Sequence, residues 1–257
     1  MLTFQFGVSY DNGQPISQLI VQSGRLQNTL LLLGSSTIMS IIIGIVLGIA
    51  AAHRRGSFLD SFSVSASLTT FALPTFWIGL VLILFLAKDL NWFPGGAVSP
   101  LDWTLGPSHV PNILAQIPVR LQYLFLPALT LTLFTYGGFV LLTRATMMDS
   151  LSEDYILTAK AKGLSQRRIL FGHAFKNASL PVITSSALAF GGILGGAIIT
   201  ETVFNWSGLG QWLYAAVVTK NYPVMQAMFY LISLTVIAAN FIADVLYGIV
   251  DPRIRYE

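Results

Sequence analysis

The sequence predicts an all-α fold: a polytopic membrane helical bundle of about five transmembrane helices, with a helical hairpin outside the lipid. Three observations predict it. Of the 257 residues, 54% are hydrophobic and only 10% are charged, whereas a soluble domain carries roughly 25% charged residues to keep its surface wet. The mean hydropathy is +0.70, and the apolar residues gather into five stretches of about the 20 residues that cross roughly 30 Å of hydrocarbon. The longest basic segment between those stretches carries helix punctuation of its own.

The spans come in order at about 29–52, within 65–87, within 123–142, about 180–200 and about 224–250. Each contains Gly, Ser, Thr or Pro, which membrane helices tolerate because neighbouring groups satisfy the backbone. Residues 1–28 form an extracytoplasmic N-terminal segment with no basic n-region or cleavable apolar stretch; 29–257 form the transmembrane domain. Orientation follows from Lys and Arg. With the C-terminus in the cytoplasm, the inner segments hold Arg54, Arg55, Arg144, Lys160, Lys162, Arg167, Arg168, Lys176, Arg253 and Arg255. The outer ones hold only Arg25, Lys88, Arg120 and Lys220.

Two outer segments are sizeable. The first, 88–122, is rich in Pro and Gly and carries Trp92 and Trp103, a composition expected of a loop on the membrane surface. The second, 201–223, holds Trp206, Trp212 and Tyr214 around Gly208-Leu-Gly210 and is expected to form a short outer helix. The inner loop, 144–180, is different in kind. Ser150-Leu-Ser-Glu153 has the spacing of a capping box. Glu153 and Asp154 suit the start of a helix dipole, and Lys160 and Lys162 its end. Gly163 stands where a left-handed C-terminal cap belongs. Ser165 is placed to cap a second short helix through about Lys176. Ile156, Ala159 and Gly163 then form a small-residue stripe that would let another surface approach the backbone.

Within the spans, Pro74 is expected to kink the second. Gly191 and Gly195, with Gly192 and Gly196, make overlapping small-xxx-small pairs in the fourth, suited to close crossing or to lining a pathway. Asp244 is the one charged side chain well inside a predicted span; it is expected to form an ion pair or hydrogen bond near the inner gate with Arg144 or Asn240, with coupling to protons as the alternative. No Cys is present, so no disulfide or thiolate metal site is possible. The three histidines lie outside the spans, without a metal-binding or nucleophilic pattern, so neither a catalytic residue nor a metal site is expected. Lys and Arg form no stripe with interleaved aromatics, which argues against nucleic acid.

The stretch from Tyr155-Ile-Leu-Thr-Ala-Lys-Ala-Lys-Gly163 through Arg167, Arg168 and His173 to Asn177 resembles the cytoplasmic "EAA" loop of binding-protein-dependent ABC importer permeases. It is most similar to the dipeptide, oligopeptide and nickel branch. Ala159 and Gly163 match the second Ala and the Gly of that motif, whereas Leu157 and Thr158 replace its Glu and first Ala, and Lys176 stands in place of its later Pro. Arg25-Leu-Gln-Asn-Thr-Leu30, Leu73-Pro-Thr-Phe-Trp-Ile-Gly79, Glu201-Thr-Val-Phe204 with Gly208-Leu-Gly210, Tyr222-Pro223 and Asp244 through Arg253 resemble further signatures of the family.

The resemblance implies a permease subunit of an ATP-driven importer in the cell membrane, for di- or oligopeptides, with nickel or oligosaccharide as alternative cargoes. A secondary transporter or channel is the alternative of another class. A coupling loop of Tyr155, Ala159, Lys160, Lys162, Gly163, Arg167, Arg168 and His173 would dock on a cytoplasmic ATPase. Pro74, Gly191, Gly195, Asn240 and Asp244 are the pathway or gate candidates. Implied partners are a second permease subunit in a heterodimer, two ABC ATPases that bind ATP and Mg, an extracytoplasmic solute-binding protein, and lipid. The chain has no GxxxxGK[ST] phosphate cradle, and no cofactor of its own is expected. Peptide-type members usually have six spans, with a first helix upstream of the point matching Phe6-Gly7-Val-Ser9, so the resemblance leaves two alternatives: a start internal to a longer protein, or a five-span variant.

Overall fold

Helix dominates because a chain this apolar must satisfy its backbone within each segment. The computed structural model describes residues 5–106, 109–192 and 197–250. Its helices are α1 (Ile16–Gln22), α2 (Arg25–His53), α3 (Phe58–Ala72), α4 (Thr75–Leu82), α5 (Ile113–Leu151), α6 (Asp154–Ala161), α7 (Phe175–Gly192), α8 (Ala197–Val203), α9 (Leu209–Val218) and α10 (Tyr222–Val250). A wider π-helical turn, Ile83–Asp89, extends α4, and another, Arg168–Ala174, leads into α7. Among the described residues the β pairing is one isolated bridge, Val8 with Pro15.

Arg25–His53 and Ile113–Leu151 are long and apolar enough to cross a membrane, and the bent pair Phe58–Ala72 with Thr75–Asp89 makes a third candidate span. The break in that pair falls at Pro74, as the sequence suggests. Leu73 is extended (φ −83°, ψ 136°), the conformation that a following proline imposes, and the two helices meet at 103°. The expected fourth span corresponds to α7 and α8, with residues 193–196, including Gly195, outside the described set. The fifth lies in α10.

The surface loop expected over 88–122 is shorter than that, because α5 starts at Ile113 and takes in Pro118 and Pro127. The short outer helix expected in 201–223 is present as α9.

The contacts divide the chain into two units. One comprises Met1–Ser36, Pro74–Leu131 and Gly192–Ile237; the other comprises Thr37–Leu73, Thr132–Gly191 and Ala238–Glu257. In the first, Leu32, Leu33, Leu126, Phe204 and Trp206 form one core, and Phe6, Ile16, Leu209, Leu213 and Met228 another. In the second, α2 lies close against α5. A Cβ on Gly44 would stand 2.2 Å from the Phe139 Cβ, and one on Gly48 2.6 Å from the Thr143 Cβ. Ser40 and Thr135 share a hydrogen bond of 2.6 Å across the same contact.

Hydroxyls inside the helices mostly turn back onto their own backbone. Ser67, Thr130, Thr146, Ser186 and Thr235 each donate to the carbonyl four residues earlier, a bond that needs no water.

Gly44→Ala and Gly48→Ala are expected to destabilise the chain by about 1–3 kcal/mol each through overpacking. Gly34→Ala, where a Cβ meets nothing within 4 Å, is expected to leave stability unchanged. Thermal denaturation of the three variants in detergent checks the contrast.

Candidate functional site

Local sequence dictates much of the hairpin between α5 and α7. Asp154 opens α6 and Lys160 lies in its last turn, both favourable to the helix dipole. Gly163 has φ +71° and ends the helix as expected. Its N–H donates to the Lys160 carbonyl at 2.9 Å, and the Leu164 N–H reaches the Ala159 carbonyl at 3.3 Å, the paired bonds of a Schellman cap.

Three other expectations for the hairpin are corrected. Ser150 does not cap α6, because α5 continues through Leu151. Its hydroxyl instead bonds the Tyr155 hydroxyl and donates to the Ala174 carbonyl at 2.9 Å. Glu153 occupies the N-cap position without a side-chain hydrogen bond. The second leg is no separate short helix: it starts at Gln166 and runs through the π-helical turn into α7 without a break.

The small stripe faces the other way as well. Ile156 and Ala159 are buried in this chain's own core, with Ile49, Met147, Ile169, Leu170 and Ala174. The face left exposed carries Leu157, at 60% exposure, with Lys160, Lys162, Gly163, Arg167 and Arg168. Tyr155 and His173 are half-buried. Beneath α6, Asp149, Ser150, Glu153, Tyr155 and Asn177 line a cavity of about 380 Å³.

Arg144 is not available to Asp244 in the expected way. Its Nε and Nη2 donate to the two carboxylate oxygens of Asp60 at 2.5 and 2.9 Å. Asp60 Oδ2 also accepts from the Gly56 N–H at 2.9 Å, so the carboxylate ties the turn before α3 to the end of α5.

Of the pathway candidates, Pro74 belongs to one unit and Asn240, exposed on α10, to the other. Gly191 lies in the last turn of α7, and Gly195 lies outside the described residues. Asp244 sits in α10, with its side chain outside the described set.

Sequence reasoning missed a second buried and hydrogen-bonded acid, Glu201. It was placed at the start of an outer segment, yet it is fully buried in α8. Oε1 accepts from the Thr29 hydroxyl at 2.7 Å and Oε2 from the Gln211 N–H at 2.9 Å. The Thr29 oxygen in turn accepts from the Leu209 N–H at 2.8 Å. Alongside, Asn28 donates to the Ser207 carbonyl, and the Trp206 indole N–H to the Asn28 carbonyl. The first turns of α2 are thereby stitched to the corner between α8 and α9.

Gly208 and Gly210 make room for the carboxylate. A Cβ on Gly208 would lie 2.4 Å from its carbon and both oxygens, and one on Gly210 3.0 Å from Oε2. The spacing of Glu201 from Gly208-Leu-Gly210 was visible in the sequence; that the acid fills the space between the glycines was not.

The model of the family described as "binding-protein-dependent transport system inner membrane component" matches residues 44–256. The oligopeptide transport system permease protein AppB of Bacillus subtilis is 40% identical over 257 residues, covering 100% of this chain and 78% of that protein. The dipeptide transport system permease protein DppB of Escherichia coli K12 is 36% identical, covering 98% and 77%. Among solved structures, an inward-facing conformation of the MetNI methionine ABC transporter superposes with a TM-score of 0.68 at 15% identity, over 91% of this chain and 97% of that one. At that identity the likeness is one of fold.

Glu201→Ala is expected to cost about 1–3 kcal/mol by leaving buried donors unmet, and Glu201→Gln less, since an amide oxygen keeps one acceptor in place. Denaturation of both variants in detergent checks the order.

Proposed function

The chain belongs to the binding-protein-dependent transport system inner membrane component family, and on that premise we propose that it is the permease subunit of an ATP-driven importer of di- or oligopeptides. The relatives named as oligopeptide and dipeptide permeases support the cargo class. The basic loops support a cytoplasmic C-terminus. Cargo would be delivered by an extracytoplasmic binding protein, and a second, different permease subunit would complete the pathway. Two separate ATPase subunits would hold ATP and Mg and hydrolyse the nucleotide; this chain would do no chemistry on it.

The observation that carries the reading is how α6 is mounted. Ile156 and Ala159 seat one face of the helix in the chain's own core, and the Gly163 cap fixes its end. The opposite face presents Leu157, Lys160 and Lys162. A helix seated on one side and bare on the other suits a docking element: an apolar anchor at Leu157, ringed by cations, would sit in a groove of the ATPase. Movement of the ATPase would then be felt at α7, because the second leg of the hairpin and α7 are one continuous rod. In this reading Ala159 supports α6 from beneath instead of meeting the partner.

Two variants test it in the assembled transporter. Leu157→Asp is expected to lower peptide uptake at least about tenfold by placing a charge at the centre of the contact, with the chain still inserted and folded. Gly163→Val forces a β-branched residue into left-handed backbone; it is expected to abolish uptake and to uncouple residual ATP hydrolysis. Wild-type uptake by both variants would overturn the docking assignment.

A further inference from the structure

Arg25, at the start of α2, is half-buried and lies over the Trp212 ring, 5.2 Å from its centroid. Among the described residues its guanidinium has neither a hydrogen-bond acceptor nor a salt-bridge partner. It borders a cavity of about 410 Å³ whose lining includes Asn205, Gln211, Trp212 and Tyr214, a volume within the range of small-molecule sites.

The acid that acts electrostatically on Arg25 is Glu201. Both Glu201 oxygens are already engaged, by Thr29 and the Gln211 N–H. Glu201 therefore does not occupy the arginine's donors. What remains is a guanidinium fork at the cavity wall, and the planar fork matches a carboxylate in two parallel bonds.

The neighbouring amides add to this. Gln211 donates through Nε2 to the Asn205 Oδ1 at 2.6 Å, which leaves the Asn205 NH₂ as a donor and the Gln211 oxygen as an acceptor. Those are the complements of a peptide C=O and N–H. Trp212 and Tyr214 supply aromatic wall.

We propose that this cavity binds the C-terminal end of a short peptide, with its carboxylate on the Arg25 guanidinium and its last side chain against Trp212 and Tyr214. The proposal rests on the peptide-importer reading and adds to it a ligand site in the permease itself.

The test uses the full chain in phosphatidylcholine nanodiscs, without a binding protein, titrated with alanylphenylalanine and with its C-terminal amide. Binding is read by tryptophan fluorescence. The free acid is expected to bind at least about tenfold more tightly than the amide, the loss of a charge-assisted bidentate contact. Arg25→Gln is expected to erase that ratio and Arg25→Lys to keep only part of it.

Asn205→Asp guards against a folding artefact. It keeps an acceptor for Gln211 and suits the positive φ of 46° at this position, yet it places a negative charge on the rim. It is expected to weaken the acid at least about tenfold and the amide much less.

Equal binding of acid and amide, or an acid/amide ratio unchanged in Arg25→Gln, overturns the proposal. So does a wild-type chain that binds no peptide in phosphatidylcholine but whose fluorescence responds to phosphatidylglycerol through Arg25; that result gives the fork to a lipid phosphate. ATP-driven uptake by the assembled transporter separates this site from the reading beneath it. Uptake without Arg25-dependent binding removes the site alone. Arg25-dependent binding in a chain that cannot import supports the site and removes the importer reading.

Discussion

Hydrocarbon offers no hydrogen-bond partner, so every polar group carried into it must find one inside the protein. Much of this structure follows from that constraint. Serines and threonines within the helices turn back onto carbonyls of the preceding turn. Ser40 and Thr135 satisfy each other where α2 meets α5. Asp60 and Arg144 neutralise each other at the ends of α3 and α5, and Glu201 is enclosed by donors from α2 and α9. Among the described residues, Thr143 and Thr200 are the two whose buried hydroxyls have no partner.

Glycine serves that economy in three distinct ways. At Gly44 and Gly48 it removes a side chain so that two helices can touch. At Gly208 and Gly210 it removes one so that a carboxylate can be housed. At Gly163 no neighbour is close; what matters is the left-handed backbone that closes a helix. A glycine in this sequence therefore has no fixed meaning until its surroundings are known.

That distinction also marks how far the sequence could be read. Features set by local chemistry were legible: the apolar helices, the break that Pro74 imposes on Leu73, the cap at Gly163 and the short helix α9. The misreadings arose where a distant partner decided the outcome. Ser150 has the spacing of an N-cap, but the Ala174 carbonyl, 24 residues on, claims its hydroxyl. Ile156 and Ala159 have the profile of a bare stripe, but Ile49 and Met147 cover them. Arg144 was matched with an acid in α10, while Asp60, 84 positions earlier in the chain, holds it. Glu201 looked like the start of a surface segment because Thr29, its partner, lies 172 positions earlier. No window of local sequence contains such pairs.

The corner at Glu201 also constrains how the chain can change over generations. Aspartate would bring the carboxylate short of Thr29 and the Gln211 N–H, and glutamine would turn one of the two acceptors into a donor. A methyl on Gly208 would occupy the space the carboxylate fills. Each single step is penalised while the others stand, so viable variation has to come as matched replacements. Drift that passes freely along the exposed helix faces would stall at this corner.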